Sequence, residues 1–166
     1  MIHIKTMTVD GFYSPAEANQ LTSAVYYLKY QEFDFGKQIE NFNMVPENAD
    51  RMFSDVFRMN LKVIDDDSGI FRLPTQFVHF ENFESTDDWL FVCALQQSTF
   101  NIFEHKSGVS SALEEYKFNY RNFFEWDLTV NYVLKPGQGV LFRPWLFHSF
   151  DTGLIQLFRL TEHERV

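Results

Sequence analysis

A chain of 166 residues, 45% hydrophobic and 22% charged, is long enough to bury one sizeable core and too apolar to be disordered. Its single cysteine excludes an internal disulfide and a cysteine-rich zinc finger. A net charge of −9 without any basic run argues against nucleic-acid binding, and no apolar run approaches the roughly 20 residues that span a bilayer.

The opening MIHIKTMTVDGF carries no apolar signal-peptide segment, so a soluble, cytoplasmic protein is expected, with no membrane partner. It reads as a strand, Ile2 to Val9, closed by the turn Asp10-Gly11. Ser14-Pro15-Ala16-Glu17 then forms a capping box with proline in the first turn, and Ala18, Leu21, Val25 and Leu28 follow at helical spacing. A helix over about 15–30 is predicted. A second is predicted over about 46–60, with Met52, Phe53, Val56 and Phe57 on one face. Asp65 to Gly69 reads as a loop.

From residue 70 onward short apolar runs alternate with turn residues, which is a β pattern. Strands are predicted near Thr75–Glu81, Trp89–Leu95, Thr99–His105, Leu128–Leu134, Gly139–Arg143 and Leu154–Leu160. Leu128, Val130, Tyr132 and Leu134 alternate with Thr129 and Asn131, as one buried sheet face requires. Residues 110–124 read as a partly helical insertion. The 20 Phe residues suit a sheet core. The fold class expected is α+β, mainly β: one domain, with a strand and helical support over 1–65 and a barrel over 70–160.

Lys135-Pro-Gly-Gln-Gly-Val-Leu-Phe-Arg-Pro-Trp-Leu-Phe-His148 makes a tight turn, a strand and a bend that delivers His148 among Trp145, Phe147 and Phe150. This stretch resembles the distal metal-histidine segment of double-stranded β-helix proteins, the cupins and the 2-oxoglutarate/Fe(II)-dependent dioxygenases. Val9-Asp-Gly-Phe-Tyr-Ser-Pro-Ala-Glu is similar to the entry of the prolyl-hydroxylase-like members. The resemblance implies a double-stranded β-helix (jelly-roll) barrel with the two N-terminal helices packed outside it. It also implies Fe(II) and 2-oxoglutarate as cofactors, and a small-molecule or peptide substrate.

Such a site needs a histidine and a carboxylate two residues apart on one strand, plus the distal histidine, because alternation turns i and i+2 to one side. His79-Phe80-Glu81 is the only His-x-acid pair, 69 residues before His148. The family carries Asp where this chain has the longer Glu81. His79, Glu81 and His148 are therefore the implied metal ligands, with His105 as an alternative. The family also places a basic residue late in the barrel to pair with the cosubstrate's distal carboxylate. Arg159, 11 residues after His148, takes that place, since a planar guanidinium grips a carboxylate at two points. Arg143 is a second basic candidate whose role stays open. His3 and His163 read as surface residues and Cys93 as a small buried hydrophobe. A cupin-like module that binds a small ligand or metal without oxidative turnover is the alternative function; a structural protein reusing the barrel is a third.

Overall fold

A computed structural model describes residues 6–26, 28, 30–33, 36–39, 49–73, 78, 83–113, 123–151 and 153–163. In chain order these form β1 (Thr6–Val9), α1 (Pro15–Val25), β2 (Tyr30–Phe33), β3 (Gly36–Ile39), α2 (Ala49–Phe57), β4 (Leu61–Leu73), β5 (Asp88–Ala94) and β6 (Ser98–His105). A 3₁₀ turn (Phe123–Glu125), β7 (Trp126–Leu134), β8 (Gly139–Phe142), β9 (His148–Asp151) and β10 (Gly153–Glu162) complete them. Every described strand pairing is antiparallel.

The strands make two sheets, ordered β1-β8-β5-β10-β4-β3-β2 and β7-β6-β9. From β5 onward the chain passes between them, so that β8, β9 and β10 alternate sheets. This is the signature of a jelly roll, in which neither sheet could bury its apolar face alone. Between the sheets lie Leu90, Val92 and Ala94 of β5, Val140 and Phe142 of β8, and Ile155 and Leu157 of β10. They face Phe100, Ile102, Leu134 and Phe150 of the smaller sheet.

The intervening residues of the larger sheet, Trp89, Phe91, Cys93, Leu141, Phe158 and Leu160, point the other way, onto Phe53 and Phe57 of α2. α1 covers the same outer face through Ala18 and Val25, against Ile70, Leu95 and Leu154. Strand β5 is thus buried on both faces, and its sequence is a continuous apolar run instead of an alternating one.

Local chemistry explains the helix starts and the main turn. Ser14 Oγ accepts from Glu17 N at 3.1 Å, and Glu17 Oε1 accepts from Ser14 N at 3.1 Å. Replacing Ser14 with Ala should cost about 1 kcal/mol and lower the melting temperature by a few degrees, read by thermal denaturation. Gly137 sits at φ +91°, where a Cβ would collide with the Tyr13 carbonyl, so the Pro136-Gly137 turn packs directly on the entry to α1.

Several expectations are corrected. α1 stops at Val25, because the aromatic run beyond it favours strand: Tyr30–Phe33 pairs with Gly36–Ile39 and widens the larger sheet. In α2, Phe53 and Phe57 are buried at i, i+4 spacing, while Val56 is turned outward. Asp65 to Gly69 is not a loop between elements but lies within β4. Gly69 pairs with Leu157 and Ile64 with Arg159, so residues 65–68 bulge from the ladder opposite Phe158. A second irregularity, at Thr129, takes Leu128 off the buried face of β7 and leaves it exposed, unlike Val130, Tyr132 and Leu134. β9 was not expected as a strand. The predicted strand Thr75–Glu81 lies outside the described residues except for Val78, as does most of the 110–124 insertion.

Candidate active site

His148 opens β9 and pairs with Ile102 of β6, on the same side as Phe150, so its imidazole enters the space between the sheets. It is completely buried. Its ring centroid lies 4.8 Å from that of Phe142, 5.5 Å from Phe150 and 5.9 Å from Phe100. Nδ1 donates to the Leu146 carbonyl at 2.7 Å, which fixes the ring.

Register across the larger sheet places Arg159 relative to His148. Thr6 pairs with Phe142, Phe142 with Leu90, Leu90 with Arg159 and Arg159 with Ile64, so these residues form one row across five strands. Directly paired residues point to one face, and Phe142 and Leu90 point inward. Arg159 therefore also enters the barrel, half-buried, two strands from the Phe142 ring that His148 touches. At roughly 4.8 Å per strand the backbones of Arg159 and Phe142 stand about 10 Å apart. Thr6 Oγ1 and Tyr132 Oη, 3.2 Å apart, bridge the two sheets at the other end of the row. Neither was anticipated, and no motif marks them.

A cavity of about 270 Å³ opens beside Arg159, lined also by Ile64, Phe83, Glu84, Asp88, Trp89, Leu90, Pro144 and Leu160. Trp145 closes over Phe83, ring centroids 5.2 Å apart. The Asp88 carboxylate is engaged, accepting from the backbone N–H groups of Glu84 at 2.8 Å and Ser85 at 3.2 Å.

The other candidates are placed differently. His79 and Glu81 lie outside the described residues, as does His3. Their described neighbour Val78 is fully buried, in one cluster with Phe103, Trp126 and Phe147, the residue before His148. His105 is on the outer face of β6, with Phe103 and away from His148. Its Nδ1 accepts from Ser107 N at 3.1 Å and meets Ser107 Oγ at 2.8 Å, while Nε2 is 3.6 Å from Glu125 Oε2. The sheet itself separates it from His148. His163 is exposed. Burial pushes the Cys93 thiol up to about 12, so it stays protonated and unreactive.

Arg143 does not enter the barrel. Its guanidinium carbon stands 3.4 Å from the centroid of Trp89 and 5.4 Å from that of Trp145. Nη1 donates to the carbonyls of Thr86 and Asp88, both at 3.1 Å.

The fold is a double-stranded β-helix of the cupin type, with the buried His148 ring against Phe142 and Arg159 inward in the same cross-strand row as Phe142. Among solved structures it is similar to HygX of Streptomyces hygroscopicus with nickel and 2-oxoglutarate bound, at 8% identity and a TM-score of 0.60, over 95% of this chain and 82% of that one. HygX with nickel, 2-oxoglutarate and hygromycin B bound gives a TM-score of 0.63 over the same shares. SnoN, a non-heme alpha-ketoglutarate-dependent epimerase from nogalamycin biosynthesis, gives 0.65 at 9% identity, over 95% of this chain and 78% of that one. No protein-family model and no curated protein matches the chain. Among the described residues no helix is long and apolar enough to cross a membrane.

Proposed function

We propose that the protein is an Fe(II)- and 2-oxoglutarate-dependent oxygenase acting on a small-molecule substrate. The observation that carries this reading is His148. Its imidazole is buried and locked by donating Nδ1–H to a backbone carbonyl, with Nε2 as the ring nitrogen proposed to hold the metal. Metal-binding histidines are oriented in this way, and imidazole with carboxylate suits iron.

His79 and Glu81 are the partners proposed for His148. Val78 supports the choice, because it shares a buried cluster with Phe147. A histidine and a carboxylate two residues apart can reach one ion from a single strand face, which is the pattern His79 and Glu81 carry.

Arg159 supplies the cosubstrate anchor, its guanidinium facing the barrel on the level of Phe142 and close to the cavity. It fits the distal carboxylate of 2-oxoglutarate at two points. Phe83, Trp145 and Phe142 are the apolar wall that keeps water from the reacting carbon. Iron with 2-oxoglutarate and O₂ supplies hydroxylation of a C–H bond, coupled to conversion of the cosubstrate to succinate and CO₂. The bound 2-oxoglutarate of the HygX structures adds support from the same fold. Protein reconstituted with Fe(II) should form succinate from 2-oxoglutarate under O₂, slowly without substrate, and a chelator should stop it. No succinate from protein shown to carry iron would overturn the reading.

A further inference from the structure

We propose that Arg143 is a positioning residue for the cavity beside Arg159, fixing the wall against which a carboxylate-bearing cosubstrate lies; this rests on the oxygenase reading above. Arg143 does not line the cavity, yet three residues that do are tied to it. Asp88 receives its Nη1–H through the backbone carbonyl, the guanidinium carbon stands 3.4 Å from the Trp89 ring centroid, and Pro144 follows it in the chain. Glu162 Oε2 closes the arrangement, accepting from Trp89 Nε1 at 3.2 Å and lying 4.0 Å from Arg143 Nη2.

The geometry uses what guanidinium has and ammonium lacks. The guanidinium sits over the indole while its Nη1 donates to the carbonyls of Thr86 and Asp88. That fixes the plane of Trp89, whose neighbour Leu90 is the cross-strand partner of Arg159. A lysine at 143 could still donate to one or both carbonyls, but it could not set the plane of the ring. Stability and cavity shape are therefore separable by this one substitution.

The experiment compares full-length wild type with Arg143→Lys. Melting temperature, Mn(II) affinity and anaerobic 2-oxoglutarate affinity of the Mn(II)-loaded protein are measured by calorimetry. Arg143→Lys should melt within a few degrees of wild type and bind Mn(II) equally well, while binding 2-oxoglutarate about tenfold more weakly, the effect of about 1.4 kcal/mol. Unchanged 2-oxoglutarate affinity would overturn the inference and leave the oxygenase reading standing. So would loss of the fold, or a parallel loss of Mn(II), since Arg143 would then act on the whole barrel. Wild type that binds Mn(II) but no 2-oxoglutarate would overturn the oxygenase reading itself, and this inference with it.

Discussion

Replacing His148 with Ala should abolish tight metal binding. In the proposed site the ring presents Nε2 from a completely buried position, held by the Leu146 carbonyl. Loss of an outer-shell partner of a metal ligand already costs 10- to 100-fold in affinity as an order of magnitude, and loss of the ligand itself should exceed about a hundredfold. The measurement is the melting temperature with and without Mn(II). A ligand at about 100 times its dissociation constant stabilises the native state by about 2.7 kcal/mol, so wild type should melt several degrees higher with the metal. His148→Ala should show no such rise. Because Ala also leaves a void among Phe100, Phe142 and Phe150, His148→Gln is the companion variant. It keeps most of the volume and should likewise lose the metal-dependent rise. A full rise in either variant would remove His148 from the site.

Replacing Arg159 with Ala should act on the cosubstrate and spare the metal. The guanidinium shares the inner row with Leu90 and Phe142, in a half-buried position where a carboxylate would lose much of its water. Truncating one partner of such a pair leaves the other charge uncompensated, which costs a few kcal/mol. 2-Oxoglutarate should therefore bind about one to three orders of magnitude more weakly to the Mn(II)-loaded variant, with Mn(II) affinity unchanged. Arg159→Lys should recover only part of the loss, since an ammonium keeps the charge but not the two-point geometry. Equal 2-oxoglutarate binding by wild type and Arg159→Ala would show that the anchor lies elsewhere.

Much of the fold was legible because local patterns and tertiary burial agree. The capping box at Ser14 and Glu17 starts α1 where expected, and β6, β8 and β10 follow their apolar patterns closely. The elements that local patterns do not mark depend on pairing between distant residues. β9 has only four residues, His148 to Asp151, too few to display a period. The acidic run Asp65–Asp67 reads as a loop by composition, yet β10 draws the chain on either side of it into a single strand. The displacement of Leu128 follows from an unpaired Thr129, which alternation along the sequence cannot reveal.

The candidate site divides along the same line. His148 is marked by the Pro-Gly turn, short strand and bend that precede it. Its level with Arg159 depends on the register of β8, β5 and β10, which no spacing of 11 residues encodes. By charge alone Arg143 is a second basic candidate, because charge does not say which way a side chain points. Its Nη1 donates to the Thr86 and Asp88 carbonyls instead, and its guanidinium sits over Trp89, a residue of the sheet's outer face. His105 was an alternative ligand by residue type, and strand parity sets it on the outer face of β6.

The central claim, that a metal at His148 and a 2-oxoglutarate anchored by Arg159 form one site, is tested most directly by an anaerobic calorimetric titration. Fe(II) is added first and 2-oxoglutarate second, with a parallel run that omits the metal. One Fe(II) and one 2-oxoglutarate per chain, with cosubstrate binding markedly weaker in the metal-free protein, is the predicted result. Absence of Fe(II) binding, or 2-oxoglutarate binding equally well with and without the metal, would contradict it.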